Sequence, residues 1–290
     1  MHRTFRAAAA LVACAGVFAG ATTGAQAATL DVVLAGDSYT SGNGAGGPYA
    51  SCTRSDKTWG QLYAANLRTK GITVNVNNVA CAGGVLKDLD AQISAITPET
   101  DLVALTIGGN DVGFTSIVIS CFTPVVFDPA RCRDAITKGK AKVPQVQADS
   151  LASIQRAKAK LRPGAKIIVV SYPYLAQPKT YILRGLLNSF DAGKAVRELG
   201  DLGDQAIKAA LASANAQGGP QVEFIPIKDL FLGHEPNQDP YAENKDSWVW
   251  EFNGVGAVGD IYHPKPAGHG AITKAVLRSA GAQADFGLAS

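Results

Sequence analysis

Residues 146–171 read VQADSLASIQRAKAKLRPGAKIIVVS, and this stretch decides the architecture. Its first part, 146–161, carries apolar residues at a helical period until Pro163-Gly164 stops it. Residues 166–171 then form a short β-branched run of the kind that fills a buried strand. The alternation continues in both directions. Toward the C-terminus come a long helical segment over 190–216 that ends at Gly218-Gly219, a strand over 222–225 and a closing helix over 266–280. Toward the N-terminus lie a buried strand over 102–107 broken by Gly108-Gly109, a helix over 85–96 and an imperfect strand over 73–79. Before these comes a helix over 59–70, whose Trp59, Leu62, Tyr63 and Leu67 form one apolar stripe. A first strand over 30–34 precedes Gly36. Strands that alternate with helices run parallel and are joined by right-handed crossovers. The pattern predicts an α/β fold, a three-layer α/β/α sandwich around a mostly parallel sheet of about five strands, in the flavodoxin-like order 2-1-3-4-5.

Composition agrees with a packed domain. The 290 residues are 47% hydrophobic and 18% charged, enough apolar content for a core and too little charge for a disordered chain. Residues 1–27 read as a secretory leader: His2, Arg3 and Arg6 open it, residues 7–21 are apolar or small, and Ala25-Gln26-Ala27 is a small-x-small cleavage site. Leu11-Val12-Ala13-Cys14 also matches a lipoprotein box, which would leave Cys14 acylated, but the stretch after it stays apolar instead of becoming a polar tether. Removing the leader takes the net charge from +3 to +1. No basic field points at nucleic acid or anionic lipid, and ligand recognition belongs in a pocket. No repeat or low-complexity linker divides the remainder, so residues 28–290 form one domain.

Four cysteines remain after Cys14: Cys52, Cys81, Cys121 and Cys132. An even number in an exported chain suggests two disulfides, and of the three possible pairings the sequence neighbours Cys52–Cys81 and Cys121–Cys132 are favoured. None lies in a C-x-x-C pair and only four histidines exist, so neither a metal site nor a cofactor is expected.

In doubly wound sheets ligands bind beyond the carboxyl ends of the strands, so chemistry is sought in the loops that follow them. The first strand is followed by Gly36-Asp37-Ser38-Tyr39-Thr40-Ser41-Gly42, the second by Ala80-Cys81-Ala82-Gly83-Gly84 and the third by Gly108-Gly109-Asn110-Asp111. Asp260-Ile261-Tyr262-His263-Pro264 precedes the closing helix. Each offers a group that acyl transfer needs. Ser38 supplies a nucleophile and His263 a base for its proton. A glycine N–H at Gly83 and the amide of Asn110 can hold a tetrahedral oxyanion. Asp260, three residues before His263, can fix the imidazole tautomer, a task that a backbone carbonyl can also perform. Asp37 reads as a residue that orders the loop through backbone N–H groups.

GDSYTSG, Gly83, GGND and D-x-x-H together resemble the SGNH hydrolases, also called GDSL esterases and lipases, in order from about residue 31 to residue 269. ACAGG and the cysteine loop after GGND look most like the secreted actinobacterial lipase and esterase branch. The resemblance implies Ser38 as nucleophile, His263 as general base and Asp260 as its partner. It also implies an oxyanion hole formed by the Ser38 N–H, the Gly83 N–H and the Asn110 side chain. Two departures stand out. Tyr39 replaces the leucine of the family name, and GHEPNQD, residues 233–239, lacks a cysteine that related secreted enzymes often place there.

The resemblance and the residues together imply an ester hydrolase, a lipase or esterase acting on a small-molecule or lipid ester as a secreted monomer without stable membrane insertion. The apolar Ile117-Val118-Ile119 and residues 124–127 suggest a greasy wall, which favours fatty-acyl esters over acetylated sugars. A non-catalytic binding module on the same fold is the reading from another class, and all four chemical positions being filled argues against it. No G-x-S-x-G or Walker motif occurs, and no G-x-G-x-x-G is linked to a strand. His234-Glu235 lacks the second histidine of H-E-x-x-H and reads as a surface or pocket-rim pair. His269 reads as structural, and Trp248, Trp250 and Phe252 as core or cleft wall.

Overall fold

Strands buried on both faces read as continuous apolar runs, and the two innermost segments behave so: Leu102–Thr106 is buried throughout and Lys166–Val170 nearly so. In the computed structural model, which describes residues 29–123, 128–183, 185–236, 244–252 and 258–279, they are β3 and β4 of one sheet. β1 (Thr29–Gly36), β2 (Thr73–Asn78) and β5 (Gln221–Ile225) complete it. The spatial order is β2-β1-β3-β4-β5 with every neighbouring pair parallel, as the sequence pattern predicts. β2 lies at an edge, so its outward asparagines interrupt the apolar pattern and make it the faintest strand to read.

The helices are α1 (Ser38–Ser41), α2 (Trp59–Thr69), α3 (Leu89–Ile93), α4 (Phe114–Phe122), α5 (Pro129–Lys160), α6 (Ala192–Ala216) and α7 (Pro266–Arg278). Alternating side chains of β1 feed two cores. Leu30, Val32 and Leu34 pack with Trp59 and Tyr63 of α2 and Ile272 of α7. Val33 and Ala35 pack with Leu89 of α3, Ile154 of α5 and Ile207 of α6. A third cluster, including Ile117, Phe122, Ile136, Val196 and Tyr262, joins α4 to the N-terminal halves of α5 and α6. The disulfide Cys121–Cys132 ties α4 to α5, and Cys52–Cys81 ties the loop after α1 to the loop after β2.

The largest difference from the sequence reading is α5, which begins at Pro129 instead of residue 146. Gly139 and Pro144 look like breakers in the sequence. Gly139 is instead a close-approach position, since a Cβ there would stand 2.9 Å from Leu199 Cδ2 and 3.0 Å from the Val112 carbonyl oxygen. Packing against α6 outweighs the lost Pro144 hydrogen bond. The helix expected over 85–96 is a 3₁₀ turn, Leu86–Asp88, followed by α3. Phe190–Asp191 pairs antiparallel with Tyr181–Ile182, and Asp191 then caps α6 by accepting from the Lys194 N–H at 2.9 Å. Residues 1–27 with Cys14, and residues 124–127, lie outside the described residues.

Candidate active site

β1 ends against β3 at a position only glycine can occupy: Gly36 has φ +107°, and a Cβ there would lie 2.0 Å from the Thr106 carbonyl oxygen. The chain turns at once into α1. Asp37 is its N-cap, accepting from the Tyr39 N–H at 3.1 Å. The same carboxylate accepts from Thr106 Oγ1 at 2.8 Å and from the Tyr172 hydroxyl. Tyr172 Oη in turn accepts from the Gly109 N–H at 3.2 Å. Asp37 therefore pins together the ends of β1, β3 and β4. Burial pushes its carboxyl up to about 6, against the hydrogen bonds from Tyr172, Thr106 and Tyr39 that lower it. Tyr172 directly follows the clearest strand of the sequence, and that rim position was the signal available for it.

Ser38 is the first residue of α1. Its Oγ lies 2.7 Å from His263 Nε2, across 225 residues of chain. The His263 loop is strapped down on both sides: the Trp250 N–H donates to the His263 carbonyl at 2.9 Å, and the Tyr39 hydroxyl donates to the Tyr262 carbonyl at 2.6 Å. The rings of Tyr39 and Phe114 lie 5.3 and 5.8 Å from the imidazole. Burial pushes His263 down to about 4, although the Ile261 carbonyl and the charge of Asp260 favour the imidazolium. The ring is neutral at pH 7. Because a carbonyl can only accept, Nδ1, 3.0 Å from the Ile261 oxygen, carries the proton and Nε2 faces Ser38 as an acceptor.

Asp260 does not hold the ring. Its Oδ1 accepts from the Gly44 N–H and the Tyr49 hydroxyl, both at 3.0 Å, so the carboxylate acts on the ring through its charge, while the Asp260 carbonyl accepts from the His263 N–H at 3.0 Å. Tyr262 adopts φ +61°, a chain reversal at which the Ile261 carbonyl meets Nδ1. Of the two orienting groups left open by the sequence, the structure contains the carbonyl, which no residue type announces.

Gly83 and Asn110 come to the same rim. Gly84 packs on Gly36 and Asp37, where a Cβ would stand 3.1 Å from the Gly36 carbonyl oxygen, and Asn110 Nδ2 donates to the Gly84 carbonyl at 2.9 Å. Gly83 has φ +79° with open space where a side chain would go. Among the described residues nothing accepts the N–H of Ser38 or of Gly83. The neighbouring Asp111 fastens this loop by accepting from the Leu86 N–H at 3.2 Å.

The other singled-out residues lie elsewhere. His269 is buried in α7 between the Trp59 N–H and the Asn43 carbonyl. His234 stacks on Trp248, with ring centroids 3.7 Å apart. Glu235 is not a surface residue: it is buried and pairs with Arg197 at 2.9 Å, a partner distant in sequence. Trp250 donates to the Gly44 carbonyl at 2.9 Å, and Phe252 is exposed. Ile119, expected in a greasy wall, is exposed as well, on the outer side of α4.

Known proteins resemble this chain in sequence and fold. A profile of the GDSL-like Lipase/Acylhydrolase family matches residues 34–271. A lipase of Streptomyces rimosus is 31% identical over 214 residues, 71% of this chain and 72% of that one. Lipase 1 of Streptomyces coelicolor is 29% identical over 277 residues, 93% and 95% of the two chains. Among solved structures, phospholipase A1 of Streptomyces albidoflavus NA297 superposes with a TM-score of 0.69 at 28% identity, covering 85% of this chain and 97% of that one. The extracellular lipase of Streptomyces rimosus gives 0.69 at 26%, covering 85% and 99%. With the family's blocks spread over four loops of one sheet edge, the chain belongs to the GDSL-like lipase/acylhydrolase family and is an ester hydrolase.

Proposed function

We propose that the chain is an exported serine hydrolase that cleaves carboxylic esters, in particular fatty-acyl esters, through an acyl-enzyme. The observation that carries this reading is the 2.7 Å contact between Ser38 Oγ and His263 Nε2. In the first step Ser38 Oγ bonds to the ester carbonyl carbon while its proton passes to Nε2. The carbonyl oxygen becomes an oxyanion held by the N–H groups of Ser38 and Gly83 and the amide of Asn110. Its charge beside the ring favours the imidazolium, so the base strengthens as the step proceeds. Collapse breaks the bond to the alcohol, which takes the proton from His263. Water repeats the sequence and releases the acid.

Residues 1–27 act as the leader and residues 28–290 as a single, monomeric catalytic domain in this reading. The relatives named lipase and phospholipase A1 support a fatty-acyl substrate, as do Phe114 and Ile117, which line an apolar cleft beside the imidazole. Among the described residues no helix is long and apolar enough to cross a membrane. A fluorophosphonate probe tests the reading: one adduct on Ser38 is expected by peptide mass analysis, and an unmodified Ser38 overturns it.

Two further outcomes are expected. Asn110→Ala should lower kcat by roughly 10²–10³-fold, the usual effect of losing one oxyanion donor. An unchanged kcat would remove Asn110 from the hole. Because burial holds the ring near 4, the acid limb of kcat/KM should also lie near pH 4, with activity persisting at pH 5–6 where an exposed histidine begins to charge. Asp37→Asn should leave that limb in place and so separate it from the carboxyl that titrates at about 6. A limb at 6.5 in both proteins would mean that water reaches the imidazole.

A further inference from the structure

Behind Gly109 an apolar cleft of about 870 Å³, counting its open mouth, runs under the carboxyl ends of the strands. Gly109, Phe114 and Tyr172 line its near part: Phe114 packs by the His263 ring, and Tyr172 bridges Gly109 and Asp37, the residue before Ser38. Its floor comes from the sheet through Val169 and Phe224. Its wall is one face of α6, in which Val196, Leu199, Gly200, Gly203, Asp204 and Ile207 recur at helical spacing.

Two features of that wall are unusual for a packed core. Gly203 lies inside a helix, where glycine is less favourable than alanine, yet a Cβ there would meet nothing within 4 Å. The space is kept open at a cost to the helix. At Gly200 a Cβ would stand 3.6 Å from Lys228 Cε, and Lys228 Nζ donates to the Gly200 carbonyl at 2.7 Å and pairs with Asp204 Oδ2 at 2.5 Å. Lys228 follows β5, the edge strand, so a buried ion pair stops the cleft at the end away from Ser38.

We infer that this cleft is a length gauge for the acyl chain, open along Gly203 and stopped by the Lys228–Asp204 pair; the inference rests on the ester hydrolase mechanism proposed above. Sheet order supplies the scale. Ser38 follows β1 and Lys228 follows β5, three strand spacings away, which at about 4.8 Å each is about 14 Å. An extended alkyl chain built from C–C bonds of about 1.5 Å advances about 1.3 Å per carbon, and about 3.5 Å of the span is the van der Waals separation of its methyl end from the stop, so the gauge accepts an acyl group of about eight to ten carbons. A longer chain must force its methyl end into a paired ammonium in apolar surroundings, which removes one partner from each charge.

The test is kcat/KM for p-nitrophenyl esters from acetyl to palmitoyl, with wild type, Gly203→Ala, Gly203→Leu and Ser38→Ala proteins. The wild-type maximum is expected at about eight to ten carbons, each buried methylene up to that length adding a factor of about four. Gly203→Leu should move the maximum to about four carbons and lower the decanoyl-to-acetyl ratio at least tenfold, with Gly203→Ala between the two. A wild-type maximum at acetyl or at palmitoyl overturns the gauge without any variant, and so does an unchanged ratio in both Gly203 variants. Ser38→Ala separates the two claims. If it is inactive on every ester while the Gly203 profiles stay flat, only the gauge fails; if it stays active, the mechanism fails and the gauge with it.

Discussion

Ser38→Ala protein should hydrolyse a chromogenic acyl ester on the order of a millionfold more slowly than wild type, with the fold intact. The size of the loss follows from what remains. Without Oγ no acyl-enzyme can form, and the oxyanion donors can only assist direct attack by water, an effect of roughly 10³–10⁴-fold over solution. Substrate affinity should change little, because the hydroxyl contacts His263 and no buried apolar surface is removed. Initial rates over a range of ester concentrations, with circular dichroism as the folding control, give the answer. Turnover within tenfold of wild type would eliminate Ser38 as the nucleophile.

His263→Ala should cost nearly as much, on the order of 10⁵–10⁶-fold in kcat, because a nucleophile and its base act as one unit. The double variant should therefore be hardly slower than either single one. The position also separates chemistry from packing. The imidazole touches the rings of Tyr39 and Phe114, so truncation will lower stability as well, and kcat should be read at a temperature where both proteins are folded. A loss below a hundredfold would point to a different base.

The sheet was legible because β3 and β4 are buried on both faces and punctuated by glycine and proline, which leaves few alternatives to a parallel layer. The meeting of Ser38 and His263 was legible because strand-end loops of a doubly wound sheet share one edge, whatever their separation along the chain. Three things were hidden. The first half of α5 carries Gly139 and Pro144, whose local preferences oppose a helix that tertiary contact with α6 maintains. The group that orients His263 is the carbonyl of Ile261, common to every residue type, whereas the carboxylate that the spacing singles out belongs to Gly44 and Tyr49. Glu235 looked exposed beside His234 because its partner, Arg197, sits on another element and cannot be found from local pattern.

The bond between Cys52 and Cys81 has a physiological consequence. Cys81 stands two residues before Gly83, and the Ala82 N–H donates to the Cys52 carbonyl at 3.1 Å, so the segment that presents the Gly83 amide is stitched to the segment that follows Ser38. On the mechanism proposed above, a compartment that keeps thiols reduced lacks that stitch and leaves the Gly83 amide on a slack tether. A chain with this bond reduced should thus turn over esters more slowly than the oxidised chain, and recover as the bond closes.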